Sequence, residues 1–197
     1  MKNLIKKSLL IAAVLTAVVI NATNINNNVE VNVIDSKLID LKVKNSDGDL
    51  TISVKDAYGE TLYTEKFEGI YFSKKYDLNT LPTGDYYFEI EGHTKINLMP
   101  FKVTYKGHEF KNKVESTYYK PTVRQDGDRV FISKMTFNKE NFEIYLYDQQ
   151  LNILYKEKLS GDIILGKTLN LMKLKSGSYK IVMKSGGKVF EQKIYKK

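Results

Sequence analysis

The chain has 197 residues, with 31 Lys and Arg against 23 Asp and Glu, a formal net charge of +8, and neither Cys nor Trp. Without Cys there is no disulfide framework, no thiolate metal ligand and no thiol nucleophile, so apolar cores alone must supply stability. The positive charge is Lys-rich, and the only arginines are Arg124 and Arg129. Bidentate reading of phosphates and bases is therefore poorly equipped, and no nucleic-acid partner is expected.

Residues 1–22 read as a secretory signal peptide. Lys2, Lys6 and Lys7 form a positive start, and Leu9 to Ile20 is an apolar run interrupted only by Thr16. That run is shorter than the roughly 20 residues of a membrane-spanning helix and suits a cleavable leader ending at Ala22. The expected location is accordingly the periplasm, the cell surface or the exterior, with no transmembrane segment after leader removal. Residues 23–28, rich in Asn, form a polar spacer.

From Val29 onward the hydrophobic pattern has a period of two. Leu50, Ile52 and Val54 alternate with Thr51, Ser53 and Lys55, and Tyr86, Phe88 and Ile90 alternate with Tyr87 and Glu89. This is the pattern of strands with one buried face. Strands are predicted at 29–34, 37–44, 50–56, 61–67, 73–77, 85–91 and 95–105, then at 118–124, 129–137, 142–148, 153–159, 167–171, 178–184 and 188–196. Asp47-Gly48 and Asp126-Gly127 are read as two-residue hairpin turns. Pro100 and Pro121 lie close to strands and should occupy an edge, a bulge or a strand start.

The second set of strands copies the first. Leu62-Tyr63-Thr64-Glu65-Lys66 returns as Leu154-Tyr155-Lys156-Glu157-Lys158, Asp56 matches Asp148, and Gly69 matches Gly161. After one inserted residue Leu78 matches Leu171, Leu81 matches Leu174, Gly84 matches Gly177 and Tyr86 matches Tyr179. The fold class is therefore all-β, two tandem immunoglobulin-like antiparallel β-sandwiches over 29–115 and 116–197. The segment between Tyr105 and Tyr118 is read as a polar connector. One strand pair defies assignment to a face: 62–67 and its copy mix apolar and charged groups on both sides, which an edge strand or a β-bulge would explain.

Asp56, Gly59, Leu62 and Tyr63, followed by Leu81-Pro82-Thr83-Gly84-Asp85-Tyr86, resemble the C-terminal sorting domains of type IX (Por) secretion cargo in Bacteroidetes. The second unit repeats the pattern with Leu174, Gly177, Tyr179 and a Lys-rich end, but has Leu151 where the pattern has Gly. The resemblance implies a small exported β-sandwich, with unit two as an export signal and the secretion machinery as partner.

No catalytic, cofactor-binding or metal residue is assigned. Gly107-His108-Glu109 opens like a zinc-peptidase motif, but Asn112 stands where the second His belongs and the setting is not helical. His93 reads as an exposed turn residue. Asp47, Asp49, Asp126 and Asp128 carry carboxylates suited to Ca²⁺, yet lack the fixed loop spacing and distal Glu. Asp56 and Asp148 read as Asx turns that end equivalent strands. Tyr58, Tyr71, Tyr87, Tyr118, Tyr119 and Tyr145 fall outside the clearest core positions and suit a cell-surface protein or glycan contact. The expectation is a non-enzymatic exported structural or interaction protein, with an export substrate or an adhesin-like binder as alternatives. Site-specific function is expected where the copies differ: the Gly59/Leu151 turn, the inserted residue before Leu171, and the connector.

Overall fold

The computed structural model describes residues 29–35, 38–44, 48–110 and 114–197. The expected leader and spacer, and parts of three later loops, lie outside the described residues. Among the described residues every regular element is a strand, and no helix is long and apolar enough to cross a membrane. The chain divides into two compact units, the first ending at Thr117 and the second running from Tyr118 to Lys197.

The first unit contains β1 (Val29–Val33), β2 (Leu38–Lys44), β3 (Leu50–Asp56), β4 (Thr61–Phe67), β5 (Tyr71–Asp77), β6 (Gly84–Glu91), β7 (Lys95–Thr104) and β8 (Gly107–Phe110). β1, β2 and β5 form one sheet, and β4, β3, β6, β7 and β8 form the other in that order. The apolar faces pair because each sheet is hydrophobic on one side only. Ile39, Leu41, Ile52, Val54, Leu78, Phe88 and Met99 make one buried core. Edge-on ring contacts join the sheets: Phe67 to Phe72 at 5.4 Å and Tyr76 to Phe88 at 5.3 Å.

The segment read as a polar connector is built differently. β8 pairs with β7, and Phe110 stacks on Phe101 at 5.0 Å. β9 (Ser116–Tyr119) follows and also pairs with β7, with the Glu115 amide donating to Leu98 O at 2.9 Å. Sparse apolar residues hid this segment, since one aromatic side chain anchors it. Pro100 lies inside β7, yet its missing N–H costs the β6–β7 ladder nothing. Leu98 turns its carbonyl away from β6, and backbone direction alternates along a strand, so Pro100 also faces away. Pro121 lies between strands.

The second unit contains β10 (Thr122–Asp126), β11 (Arg129–Met135), β12 (Phe142–Tyr147), β13 (Ile153–Leu159), β14 (Ile164–Asn170), β15 (Gly177–Ser185) and β16 (Lys188–Lys196). β10, β11 and β14 form one sheet, and β13, β12, β15 and β16 the other. This repeats the order of β1 to β7 in the first unit, with no counterpart of β8. Asp126 pairs with Arg129, so the central turn residues are Gly127 and Asp128, one position later than read from sequence. Only Gly127 has positive φ (56°), which fits a turn needing glycine at its first central position.

The ambiguous strands resolve in both ways at once. β4 and β13 are edge strands, and each carries a bulge at the equivalent place. Val54 pairs with Tyr63 and Lys55 with Thr61, leaving Leu62 unpaired; Leu146 pairs with Tyr155 and Tyr147 with Ile153, leaving Leu154 unpaired. The extra residue shifts the alternation by one. Tyr63, Glu65 and Phe67 then turn inward while Thr64 and Lys66 face solvent.

Candidate functional site

The residues singled out by sequence fall mostly into structural roles. Asp56 Oδ1 accepts from the Tyr58 and Glu60 amides at 3.0 and 2.9 Å. Asp148 Oδ1 does the same for Gln150 and Asn152 at 2.9 and 2.8 Å. Both are Asx turns that close the β3–β4 and β12–β13 hairpins. Asp128 accepts from Lys196 Nζ at 2.6 Å, tying β16 to the β10–β11 turn. Asp47 and Asn112 lie outside the described residues. Among the described residues no three His, Asp or Glu side chains gather in a metal-binding group.

His93 is exposed in the β6–β7 turn. His108 is half-buried on β8, where its Nδ1 is enclosed without a hydrogen-bond partner. It lines a pocket of about 180 Å³ with Leu78, Leu81, Thr83 and Tyr105. That lining holds no carboxylate and no second imidazole.

The repeated charges form a repeated latch. Inward-turned Glu65 accepts from Tyr63 Oη at 2.9 Å and from Tyr76 Oη at 2.6 Å, and pairs with Lys74 of the facing sheet. In the second unit Glu157 accepts from Tyr155 Oη and from Lys167 Nζ at 2.8 Å. Each cluster bridges the open side between the edge strands of facing sheets. Burial opposes the charge on Lys74, but bonds to Glu65 and Tyr63 outweigh it and hold its pKa above the ordinary value. Burial, then the bond to Glu65, raises the Tyr76 hydroxyl well beyond the ordinary tyrosine range. Lys167, then Tyr155, holds Glu157 below the usual carboxylate range. Because both copies carry the latch on the same strands, it belongs to the fold.

The copies also differ on the solvent face of the β13–β12–β15–β16 sheet. The outward residues there include Lys156 and Lys158 on β13, Glu143, Tyr145 and Tyr147 on β12, Lys180, Val182 and Lys184 on β15, and Glu191 and Lys193 on β16. Tyr145 and Tyr147 stack with centroids 6.2 Å apart. Lys156 and Lys184 each hold an ammonium 5.2 Å from the Tyr145 ring, and Lys180 lies 6.0 Å from Tyr147. Tyr145 Oη donates to Glu143 at 2.6 Å. That bond, followed by the nearby Lys158, Lys156 and Lys184, keeps Glu143 below the usual carboxylate range.

The equivalent face of the first unit has another character. Ser53 stands for Tyr145, Lys55 for Tyr147, Thr64 for Lys156, Tyr87 for Lys180 and Glu91 for Lys184. Ser53 and Thr64 hydroxyls meet at 3.0 Å, and Lys55 is neutralised by Glu89 at 2.7 Å. A lysine-richer, tyrosine-backed face therefore occurs on one repeat, where Lys180 pairs with Glu191 at 3.5 Å, and a face with fewer lysines takes its place on the other. Of its tyrosines, Tyr145 was singled out from sequence; Tyr147 and the lysines were not. Comparing solvent-facing positions between the copies is the signal that finds them.

A pocket of about 260 Å³ adjoins this face, lined by Asn141, Glu143, Lys184, Ser185, Gly186 and Gly187. Gly186 and Gly187, with φ of 55° and 74°, form the tight β15–β16 turn, and the Tyr118 ring fills the space that a side chain at Gly186 would take. Ser185 is 6% exposed, and its hydroxyl has no hydrogen-bond partner.

No protein-family model matches the chain, and no curated protein matches it. Among solved structures it is similar to a biofilm-associated protein BSP domain at 15% identity and TM-score 0.30, covering 81% of this chain and 27% of that one. It is similar to a β-glucuronidase from an uncultured Clostridium sp. at 8% identity and TM-score 0.29, covering 81% and 35%. A structure of the receptor tyrosine kinase Torso matches at 10% identity and TM-score 0.26, covering 88% and 74%. The chain thus spans about a quarter of the biofilm-associated chain. At TM-scores this low none of these likenesses bears on what the chain does.

Proposed function

We propose that the protein is a non-enzymatic, exported interaction module of two tandem immunoglobulin-like sandwiches. The first unit serves as scaffold and the second carries the contact face. The observation that carries this reading is the divergence of equivalent sheet faces: Lys156, Lys180 and Lys184 around Tyr145 and Tyr147 replace Thr64, Tyr87 and Glu91 around Ser53 and Lys55. A duplicated scaffold that had kept one role would keep one surface. The leader pattern supports export. The immunoglobulin-like reading is supported by Tyr86 and Tyr179, which begin equivalent strands and donate their hydroxyls to Pro82 O at 2.8 Å and Lys175 O at 2.7 Å. It departs from the constant-type layout in placing β4 and β13 beside the third strand.

The test is retention of the protein on the surface of its own cells. Replacing Lys156 and Lys184 by Gln should release it to the medium, while replacing Lys55 and Lys66 should not. Equal retention of both variants would remove the assigned face, and turnover abolished by one polar substitution would remove the non-enzymatic reading.

A second reading has unit two as a type IX export signal, supported by the sorting-domain resemblance and by β16, a Lys-rich edge strand. Deleting β16 would also remove the buried Ile194 from the core. The cleaner test fuses residues 118–197 to a passenger protein and asks whether it leaves the cell.

A further inference from the structure

We infer that the open edge of β16 docks a second copy of this chain, pairing antiparallel with the β16 of that copy about Gln192. The inference concerns the edge of the sheet rather than the contact face assigned above, and it sets two copies of that face side by side.

The first repeat shows what such an edge takes. β8 covers β7 from Phe101 to Thr104 and β9 pairs with it as well, while β16 ends its sheet with no strand beyond it among the described residues. At the other edge of that sheet β13 is interrupted by its bulge, whereas β16 keeps unbroken register with β15 over 9 residues. Gly186 and Gly187 are the two turn residues, so Ser185 and Lys188 close the hairpin as a hydrogen-bonded pair, and the pattern alternates from there. Val189, Glu191, Lys193 and Tyr195 therefore turn their backbone groups to the open side. Gln125 bears out this parity: its amide donates to Tyr195 O at 2.6 Å and accepts from the Tyr195 N–H at 3.3 Å, as a neighbouring strand would. Gln192 Nε2 donates to Lys193 O at 3.0 Å. Both side chains stand in for a strand, and a backbone ladder replaces their bonds in kind.

Side-chain chemistry selects one register. Pairing centred on Glu191 sets that carboxylate against its own copy, and centring on Lys193 does the same with two ammoniums. Centring on Phe190 carries Lys193 past the hairpin turn, and centring on Ile194 depends on Tyr195, whose backbone Gln125 already holds. Centred on Gln192, Glu191 stands opposite Lys193 of the second copy, and Lys193 opposite its Glu191. Each of these pairs exchanges both of its backbone hydrogen bonds. Outside them Val189 meets Tyr195 of the second copy. These are the two large apolar side chains that β16 exposes, at 57% and 61%. On the other side of the strand Phe190 meets Ile194. Lys188 comes opposite Lys196, whose ammonium is already bound by Asp128 at 2.6 Å.

The same register answers a like-charge pair within the unit. Lys180 pairs with Glu191 at 3.5 Å yet stands directly opposite Lys193 across the β15–β16 ladder. Glu191 of the second copy approaches Lys193 from its other side, so a carboxylate comes to flank the two ammoniums. The contact is isologous: each β16 edge is consumed by the other, which closes the pairing at two copies and joins two four-stranded sheets into one.

Sedimentation equilibrium of the full chain over a wide range of concentration reads the association. The expected result is a monomer–dimer equilibrium that Glu191→Lys and Lys193→Glu each weaken about tenfold. Mixing these two variants should restore pairing, since each then offers the charge that the other lacks, and combining both changes in one chain should restore it too. Unchanged melting of the variants shows that folding is intact. Gln125→Ala should strengthen the dimer by freeing the Tyr195 backbone. Lys156→Gln/Lys184→Gln should dimerise as the parent does, which separates this edge from the contact face. A monomer at every concentration, a dimer indifferent to both charge reversals, variants that fail to pair when mixed, or a dimer weakened by Gln125→Ala would each overturn the inference.

Discussion

Glu157 and Lys167 meet at 2.8 Å across the gap between facing sheets, and Glu65 and Lys74 meet at the same place in the first repeat. Edge strands β13 and β14 belong to different sheets, so no backbone ladder joins them. The ion pair and its tyrosine close the sandwich on that side.

Replacing Glu157 by Gln should lower stability at neutral pH and lose its effect in acid. Lys167 and Tyr155 hold the folded carboxyl below its ordinary range. Its contribution is full above the unfolded value of about 4.3 and disappears as pH falls through the depressed folded value. Melting temperatures of the parent and Glu157→Gln, measured from pH 7 downward, should converge below about pH 4. A constant gap would assign the effect to packing.

Tyr179→Phe removes a hydroxyl that donates to Lys175 O at 2.7 Å, and Tyr86→Phe removes its copy. Each change keeps the ring and strands one carbonyl. The expected loss is about 1 kcal/mol, or ~4–8 °C for a unit of this size, read by calorimetry. A neutral outcome would show that the freed carbonyl finds water.

Leu151 holds φ at 63°, where its repeat partner Gly59 holds 84°. Leu151 is also 65% exposed, so its side chain returns little for the strain. Leu151→Gly should stabilise the second unit by up to ~1 kcal/mol, and Gly59→Leu should destabilise the first by at least as much. Urea midpoints at unchanged slope measure both, and a loss of stability in Leu151→Gly would refute the strain.

Lys134 is 4% exposed on β11 at the core-facing position that Val43 fills in the first unit. Its ammonium donates to Met135 O at 3.1 Å, and burial lowers its pKa, partly countered by Glu140. Lys134→Met should stabilise the second unit by ~1 kcal/mol or more, since an apolar chain of similar length needs no desolvation. The sign with pH follows: the unfolded state binds the proton more tightly, so the parent gains stability as pH rises toward the lysine range and the variant does not. Denaturant titrations at pH 7 and 10 test this, and a destabilised Lys134→Met would show the charge to be structural.

Much of the scaffold was legible because alternation and turn chemistry are local. β3, β4, β13 and β16 have the boundaries read from sequence, and the Asx turns at Asp56 and Asp148 form as expected. β8 was missed because one aromatic, Phe110, gives no period. The lysine face was missed because its members lie on different strands and mean nothing until those strands are neighbours. Tyr58 and Tyr105 are exposed without joining it.

By itself the sequence determined an all-β chain, its duplication and most strand positions, since apolar residues every second position must share a buried face. Tertiary structure alone decided which strands are neighbours, because pairing depends on contacts remote in sequence. It also decided the direction of Glu65 and Glu157, because the unpaired Leu62 and Leu154 invert the alternation. And it decided that Lys156, Lys180 and Lys184 form one surface, because three strands had to pair before their charges could add.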